Sequence, residues 1–172
     1  MSQPSQPGPL PDLPDDLSPL LRHLESCYPS EGCGFLLRGP SGALRTRPVT
    51  NAYDRYRALE PESFPHTSRT AFLFDPQEQL AVNEEVRARG EEVACIFHSH
   101  VDNGAFFSPR DRDGALLDGE PLFPGVSYLV VAVSHGRATA ARLFRFEDGD
   151  FRELPVPLPV TPRGPAGQPS PM

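Results

Sequence analysis

The amino-acid sequence predicts an α/β domain in which helices pack on a mixed β-sheet. Two apolar runs, residues 93–100 and 126–134, have the length and composition of strands that are buried on both faces. Segments with helical apolar spacing and helix-start residues lie before and between them. The resulting order is helix, strands, helix, strand, helix and strands. This order is typical of a layered α/β domain and differs from a pure βαβ repeat.

The chain of 172 residues is long enough for one domain with a substantial core. Five prolines fall within residues 1–14 and seven within residues 155–172, and neither end has periodic apolar residues. We therefore predict that both ends are disordered Pro-rich tails and that the folded domain spans residues 15–154. No internal repeat is visible, so solenoid and propeller folds are not expected.

The N-terminal half is predicted to hold a helix, two strands and a second helix. Leucines at positions 17, 20, 21 and 24 predict a helix over residues 15–28, which Pro29 ends. Strands are predicted at residues 32–38 and 43–50, with a Gly-Pro-Ser-Gly turn between them. Residues 51–69 are polar and predict an irregular substrate-side loop, followed by a strand at 71–74. Asp75 as N-cap and Pro76 at the first helical position predict a helix that ends at Gly90.

The C-terminal half begins with the predicted central strand, residues 93–100, and a loop over residues 101–107. A helix is predicted to begin at Ser108-Pro109 and to carry Ala115, Leu116 and Leu117. The second buried strand spans residues 126–134. Residues 139–146 and 151–154 flank an Asp-Gly pair that predicts a hairpin turn.

Composition excludes several functional classes. The net charge is -7 with a pI near 5.2, and the arginines form no basic run, so nucleic acid is not an expected partner. No apolar stretch approaches the roughly 20 residues that span a bilayer, and the N-terminus does not resemble a secretory signal. Cys27, Cys33 and Cys95 form no even framework and predict buried free thiols. We therefore expect a cytoplasmic protein.

Two histidines at the end of the central strand indicate a metal site. His98 and His100 are two residues apart, so in a strand both imidazoles point to one face and Ser99 points to the other. A carboxylate from the following segment would complete three protein ligands and leave the fourth zinc position to water, which is the arrangement of a catalytic zinc. Asp111, in the first turn of the next helix, and Asp102, in the loop, are the two candidates.

Four sequence elements in a fixed order resemble the JAMM (MPN+) zinc metallopeptidases, which are JAB-domain proteins. They are an upstream glutamate within residues 29–36 (PSEGCGFL), the pair His98 and His100, and, after seven residues, Ser108 and Asp111. The resemblance covers roughly residues 17–146. It implies a three-layer, mixed-sheet α/β domain similar to that of cytidine deaminases.

The resemblance also implies a role for each of these residues. His98, His100 and Asp111 would ligate one Zn²⁺ ion per chain. Glu31 would hold and deprotonate the zinc-bound water, and Ser108 would donate a hydrogen bond to the developing oxyanion.

The family hydrolyses peptide or isopeptide bonds at the C-terminus of ubiquitin-like, β-grasp proteins. This chain is similar to small bacterial members that act on sulfur-carrier proteins of the CysO type, so a sulfur carrier ending in Gly-Gly is the expected partner. Phe106 and Phe107 are candidates either for the walls of the channel for its tail or for a pair of core aromatics, and His66 and Arg69 are candidates for substrate contacts. Val101 stands where many members have Pro or Thr, a departure that leaves the ligand set unchanged.

Two other functions stay open: a deconjugating isopeptidase of a bacterial ubiquitin-like system, and a non-catalytic MPN-type scaffold that binds a β-grasp partner. Other zinc enzymes fit the sequence less well. Asn103 stands where the HxHxDH motif of metallo-β-lactamase-type hydrolases has a histidine, and only His135 follows. The H-x-E and P-C-x-x-C motifs of zinc base deaminases are absent. The chain is also too short for the barrel of amidohydrolases, which needs about 200 residues or more.

Overall fold

The computed structural model describes residue 10 and residues 12–159. The helices of this part are α1 (Ser18–Cys27), α2 (Tyr53–Leu59), α3 (Pro76–Arg89) and α4 (Pro109–Ala115). The strands are β1 (Cys33–Arg38), β2 (Leu44–Val49), β3 (Glu92–Val101), β4 (Leu116–Leu117), β5 (Glu120–Pro121), β6 (Ser127–Ser134), β7 (Arg137–Glu147) and β8 (Asp150–Pro155).

Six of the strands form one mixed sheet in the order β2-β1-β3-β6-β7-β8. β3 and β6 pair in parallel, and the other neighbours in this sheet pair antiparallel. β3 therefore lies inside the sheet with a partner on each side, which explains why its sequence is apolar on both faces. The predicted α/β fold class with a mixed sheet is confirmed.

Side chains of β3 alternate between the two faces of the sheet. Cys95 and Phe97 belong to the core beneath α1, whereas Ile96 belongs to a second core with residues of α3 and α4. His98 and His100 continue the even-numbered series, so they point to the same face as Ile96. The strand period therefore places both imidazoles between the sheet and the layer of α3 and α4.

The two layers of helices cover the sheet unequally. α1 buries Leu20, Leu21 and Leu24 almost completely against one face. On the other face, α3 buries only Val82 and α4 buries only Ala115. The second layer therefore leaves space over the sheet, and this space opens beside the two histidines.

Several local predictions are confirmed. Asp75 caps α3 by accepting hydrogen bonds from two backbone N–H groups of its first turn, and Gly90 ends this helix in the left-handed conformation at φ 63°. Asp148 and Gly149, at φ 52° and 84°, form the turn between β7 and β8. The three cysteines are free thiols, of which Cys27 is only half-buried.

The segment between β2 and α3 differs from the prediction. The predicted irregular loop over residues 51–69 contains α2, and the predicted strand over residues 71–74 is absent, since only Phe74 forms an isolated bridge with Asn51. The Asn51 side chain accepts from Leu73 N at 3.1 Å and donates to Ala71 O at 3.0 Å. The Asn51 amide thus forms the hydrogen bonds that a neighbouring strand would otherwise form with residues 71–73. The spacing of apolar residues in the sequence does not indicate this replacement.

The helix that begins at Ser108 is shorter than predicted. It ends at Ala115, and Leu116 and Leu117 pair with β5 in a small separate hairpin. Asp118 and Gly119 form the turn of this hairpin with φ values of 51° and 79°. The Asp-Gly signal for a two-residue turn was present in the sequence and outweighs the helical spacing of the leucines.

Packed residues extend beyond the predicted domain limits of 15 and 154. Asp12 forms ion pairs with Arg38 at 2.9 Å and with Arg145 at 2.8 Å. Leu13 packs against the α1 core, and Val156 is buried in it. The prediction from proline content therefore assigned too many residues to the tails. Asp12, Leu13 and Val156 form packing and ionic contacts that amino-acid composition does not reveal. The other residues of the predicted tails, 1–9, 11 and 160–172, lie outside the described residues.

None of the helices in residues 12–159 combines the length and the apolar character needed to cross a membrane.

Gly34 in β1 tests how closely β1 packs against its neighbours. A Cβ at this position would lie 2.6 Å from the backbone oxygen of Arg47 and would also overlap the Phe97 ring. We expect Gly34→Ala to lower the free energy of unfolding by about 1–3 kcal/mol, measured by urea denaturation. The control is Gly114→Ala in α4, where no described atom beyond the neighbouring residues and backbone of its own helix lies within 4 Å of the added Cβ. There we expect a gain of about 0.5–1 kcal/mol. Equal effects in the two variants would contradict the close packing.

Candidate active site

The candidate site forms where the C-terminal end of β3 meets the N-terminal end of α4. His98 is 2% exposed and His100 is 7% exposed. Ser108 is the N-cap of α4, and its Oγ accepts from Asp111 N at 3.0 Å, while Asp111 Oδ2 accepts from Ser108 N at 3.0 Å. This reciprocal capping box fixes the carboxylate at the start of the helix and directs it at the two imidazoles.

Three side chains converge on one point. His98 Nε2 lies 3.2 Å from His100 Nε2, and each of these nitrogens lies 3.2 Å from a different carboxylate oxygen of Asp111. His100 Nδ1 donates to Gly104 O at 2.9 Å, because a carbonyl oxygen can only accept. In neutral His100 this bond leaves the lone pair of Nε2 facing the other two groups.

The three donor groups fit a zinc ion. Zinc binds histidine nitrogen and carboxylate oxygen at about 2.0–2.2 Å, so neighbouring ligands of a tetrahedral ion are about 3.3 Å apart. The observed separations of 3.2 Å match this spacing. Two neutral imidazoles and one carboxylate also form a donor set that zinc prefers. His98, His100 and Asp111 could therefore hold a metal ion.

Glu31 lies beside this triangle with a different environment. One of its carboxylate oxygens and ring nitrogens of His98 and His100 all lie within 4.8 Å of one another. Its side chain is buried, and within residues 12–159 no group donates a hydrogen bond to its carboxyl. Asp111, by contrast, is held by its cap and touches both imidazoles. Either carboxylate therefore lies within reach of an ion held by the two imidazoles, and Asp111 is the one that a helix cap fixes in place.

Burial and hydrogen bonds shift the pKa values of the acids and bases of the site in different directions. Desolvation raises the pKa of the Glu31 carboxyl to about 8. Desolvation also lowers the pKa of His98. For Asp111, burial opposes ionisation, but hydrogen bonds with His100 and His98 hold its pKa well below the usual range. Burial likewise opposes the charge on His100, but the bond to Asp111, the bond to Gly104 and the charges of Asp111 and Glu31 together outweigh it, so the pKa of His100 is raised.

Phe106 and Phe107 take different places. The Phe106 ring is 43% exposed and meets the His100 ring edge-on at a centroid distance of 4.7 Å. Phe107 stacks on Phe144 at 5.0 Å and packs against Phe151, so most of its contacts are in the core. Both side chains line the cavity described below, but only Phe106 stands at its entrance.

The other predicted contact residues lie around the site rather than in it. His66 Nδ1 is 3.3 Å from Arg110 Nη2, and His66 does not line the cavity. Arg69 lines the cavity and forms an ion pair with Asp102 at 2.9 Å. Asp102, the alternative third ligand, is engaged in this pair and is not part of the triangle of donor atoms.

Sequence reasoning missed the residues that hold Glu31 in place. Gly32 N donates to Ser99 Oγ at 2.8 Å, so the serine between the two histidines fastens β1 to β3 from the opposite face. Glu31 N donates to Ser68 O at 2.7 Å, and Glu31 O accepts from Asn51 Nδ2 at 2.9 Å. No sequence pattern signals Ser68 or Asn51, because both act through long-range backbone contacts.

A cavity of about 860 Å³ adjoins the site. It is bounded by the sheet on one side and by α3 and α4 on the other, and Glu31, His98, His100 and Asp111 line it together with aromatic side chains. The Phe72 ring stacks on the His98 ring at 4.6 Å. The volume is at the upper end of the range for sites that enclose small molecules or short peptides, and its walls are mostly apolar.

Comparison with known proteins identifies the family. The prokaryotic homologs of the JAB domain match residues 15–147. The chain belongs to this family. A curated JAB-family relative, the Haloferax volcanii protein named desampylase, is 31% identical over 131 residues, which are 74% of this chain and 78% of that protein. The predicted membership of the JAB-domain proteins is thus confirmed.

Two solved structures share the fold of this JAB domain. A protein from Desulfitobacterium hafniense aligns with a TM-score of 0.55 and 23% identity, covering 81% of this chain and 85% of its own. A protein from Salinibacter ruber aligns with a TM-score of 0.52 and 24% identity, covering 87% and 94%.

The raised pKa of Glu31 predicts a pH dependence of stability in the metal-free protein. Between the unfolded value near 4.5 and the folded value of about 8, the folded protein keeps a proton that the unfolded chain loses. This contribution to the free energy of unfolding is therefore complete below pH 4.5. It falls as the pH rises towards 8, by up to about 1.4 kcal/mol per pH unit. Urea denaturation of chelator-treated protein at several pH values should show that Glu31→Gln removes this part of the decrease in the free energy of unfolding with pH. An unchanged slope would contradict the assignment.

Proposed function

We propose that this JAB-domain protein is a zinc-dependent peptidase that hydrolyses a peptide or isopeptide bond at the C-terminus of a ubiquitin-like, β-grasp protein. The observation that carries the proposal is the triangle of His98, His100 and Asp111 donor atoms at 3.2 Å. Glu31 beside the triangle supplies the base that hydrolysis needs in addition to the ligands.

Zinc, when bound, supplies Lewis acidity for the scissile carbonyl and lowers the pKa of water to about 7. The Glu31 carboxylate accepts the proton of the attacking water and returns it to the leaving amine. Its burial suits both steps, and no donor within residues 12–159 forms a competing hydrogen bond that must first be broken. His100 keeps its orientation during turnover through the bond to Gly104 O, and Asp111 keeps its orientation through the cap.

Ser108 is proposed to stabilise the tetrahedral oxyanion. Its Oγ lone pair accepts from Asp111 N, so its hydroxyl hydrogen is left to donate to another group. Ser108 lines the same cavity as the metal ligands, which brings that donor to the substrate side.

The substrate class is argued from the cavity and from the relative. An extended tail ending in Gly-Gly has no side chains at the scissile bond and can pass between Phe72 and Phe106, whose rings flank the two imidazoles. The relative named desampylase favours deconjugation of a ubiquitin-like modifier. A sulfur-carrier protein extended beyond Gly-Gly is the alternative substrate with the same bond chemistry.

Metal content tests the ligand assignment. We expect the purified protein to bind about one equivalent of zinc, measured by elemental analysis after dialysis. His98→Ala should lose it, because two remaining ligands hold zinc weakly. His66→Ala is the matched control, since it removes an imidazole outside the triangle and should retain the metal. A wild-type protein that binds no zinc but does bind a β-grasp partner would support the scaffold function instead.

Glu31→Gln separates chemistry from metal binding. The amide keeps the size of the side chain but cannot accept the proton of water. We therefore expect one equivalent of zinc and a loss of hydrolysis of at least about 100-fold, since general acid–base catalysis contributes that much or more. The assay is cleavage of a β-grasp protein fused through its C-terminal Gly-Gly to a reporter, beside one linked to a lysine side chain. Glu62→Gln, at an exposed position, should leave turnover unchanged. Full activity of Glu31→Gln would overturn its role.

A further inference from the structure

Asp102 joins three separate segments at the end of β3. Its Oδ2 accepts from Tyr28 Oη at 2.7 Å and from Arg69 Nη2 at 2.9 Å, while its Oδ1 accepts from His135 N at 2.9 Å. Asp102 adopts φ 50°, in the left-handed region, where aspartate and asparagine are tolerated better than most residues. Both carboxylate oxygens are therefore committed to contacts within the protein.

Two of these contacts reach the segments that hold Glu31. Tyr28 lies three residues before Glu31, in the turn between α1 and β1. Arg69 directly follows Ser68, whose backbone oxygen accepts from Glu31 N at 2.7 Å and whose Oγ lies 2.9 Å from Ser30 Oγ. The Asp102 carboxylate thus contacts both the turn that precedes Glu31 and the segment that hydrogen-bonds to the Glu31 backbone.

Asp102 itself is fixed to the strand of the metal ligands. It follows His100 by two residues, and its backbone N donates to Val133 O on β6 at 2.8 Å. Besides the backbone bonds of Glu31 to Ser68 and Asn51, two connections contribute to the distance between Glu31 and the imidazoles. One is the bond between Gly32 and Ser99 inside the sheet, and the other is the set of Asp102 contacts at the surface.

We propose that Asp102 is a positioning residue, which holds Glu31 at its working distance from His98 and His100 through Tyr28 and Arg69. This inference rests on the proposed hydrolytic function. Asp102 touches neither substrate nor metal in this role, and Arg69 serves it as a partner rather than as a substrate contact. A displacement of about 1 Å at a reacting group lowers the rate by up to about 100-fold. Loss of the Asp102 contacts should therefore have a measurable effect on turnover.

Asp102→Asn is the variant of choice. Asparagine keeps the shape and the left-handed backbone, and its oxygen can still accept from His135 N, but its amide hydrogens face the Arg69 guanidinium. Asp148→Asn is the matched control, because Asp148 has the same residue type at φ 52° in the turn between β7 and β8, where its side chain is exposed and forms no hydrogen bond or ion pair within the described residues. The assay is cleavage of the Gly-Gly fusion, with zinc content measured in parallel.

We expect Asp102→Asn to lower kcat about tenfold or more, with KM within twofold and one equivalent of zinc retained. Arg69→Ala should reproduce the loss, and Arg69→Lys should restore part of it, since lysine keeps the charge. In the Glu31→Gln background, Asp102→Asn should have no further effect on residual turnover, because the residue acts through Glu31. A general structural defect would instead lower turnover equally in both backgrounds.

Two outcomes overturn the inference while the proposed function stands: a kcat of Asp102→Asn equal to that of Asp148→Asn, or a full additional loss in the Glu31→Gln background. A wild-type protein that binds zinc and cleaves neither the linear fusion nor the lysine-linked one overturns the proposed function, and the role of Asp102 with it.

Discussion

The site depends on one convergence, in which the end of β3 and the capped start of α4 meet on the same face of the sheet. It brings two imidazole nitrogens and a carboxylate within 3.2 Å of one another in a buried place. The surrounding structure keeps each of the three side chains in place. The capping box restrains Asp111, the Gly104 carbonyl restrains His100, and the stacked Phe72 ring restrains His98.

The same strand alternation builds the core and the site. Cys95 and Phe97 of β3 fill the core beneath α1, and Ser99 continues this odd-numbered series as a buried hydrogen-bond acceptor for Gly32. Even-numbered residues fill the second core and then become His98 and His100. A shift of one residue in the register of β3 would move both imidazoles to the α1 face and break the link to β1. The strand register that builds the core therefore also determines the position of the two histidines in the active site.

The residues that converge could be predicted because their cause is local. Strand period two gives the shared face of His98 and His100, and Ser-Pro at a helix start gives the position of Asp111. The second helix, α2, and the amide of Asn51 could not be predicted in this way, because Asn51 replaces a strand partner for residues distant in sequence. Asp102 shows the same limit. As one of two acids near the histidines it was a fair candidate ligand, and only the positions of Tyr28 and Arg69 reveal where its oxygens are used.

Burial links the chemistry of the site to its stability. Desolvation raises the pKa of Glu31 and lowers that of His98, so it disfavours charge on the acid and on the base alike. Asp111 stays ionised against the same burial because two imidazoles and a helix cap face it. Metal binding requires both imidazoles to be neutral, which the lowered pKa of His98 favours and the raised pKa of His100 opposes. Because the unfolded chain lacks this arrangement, the free energy of binding would add directly to the stability of the fold.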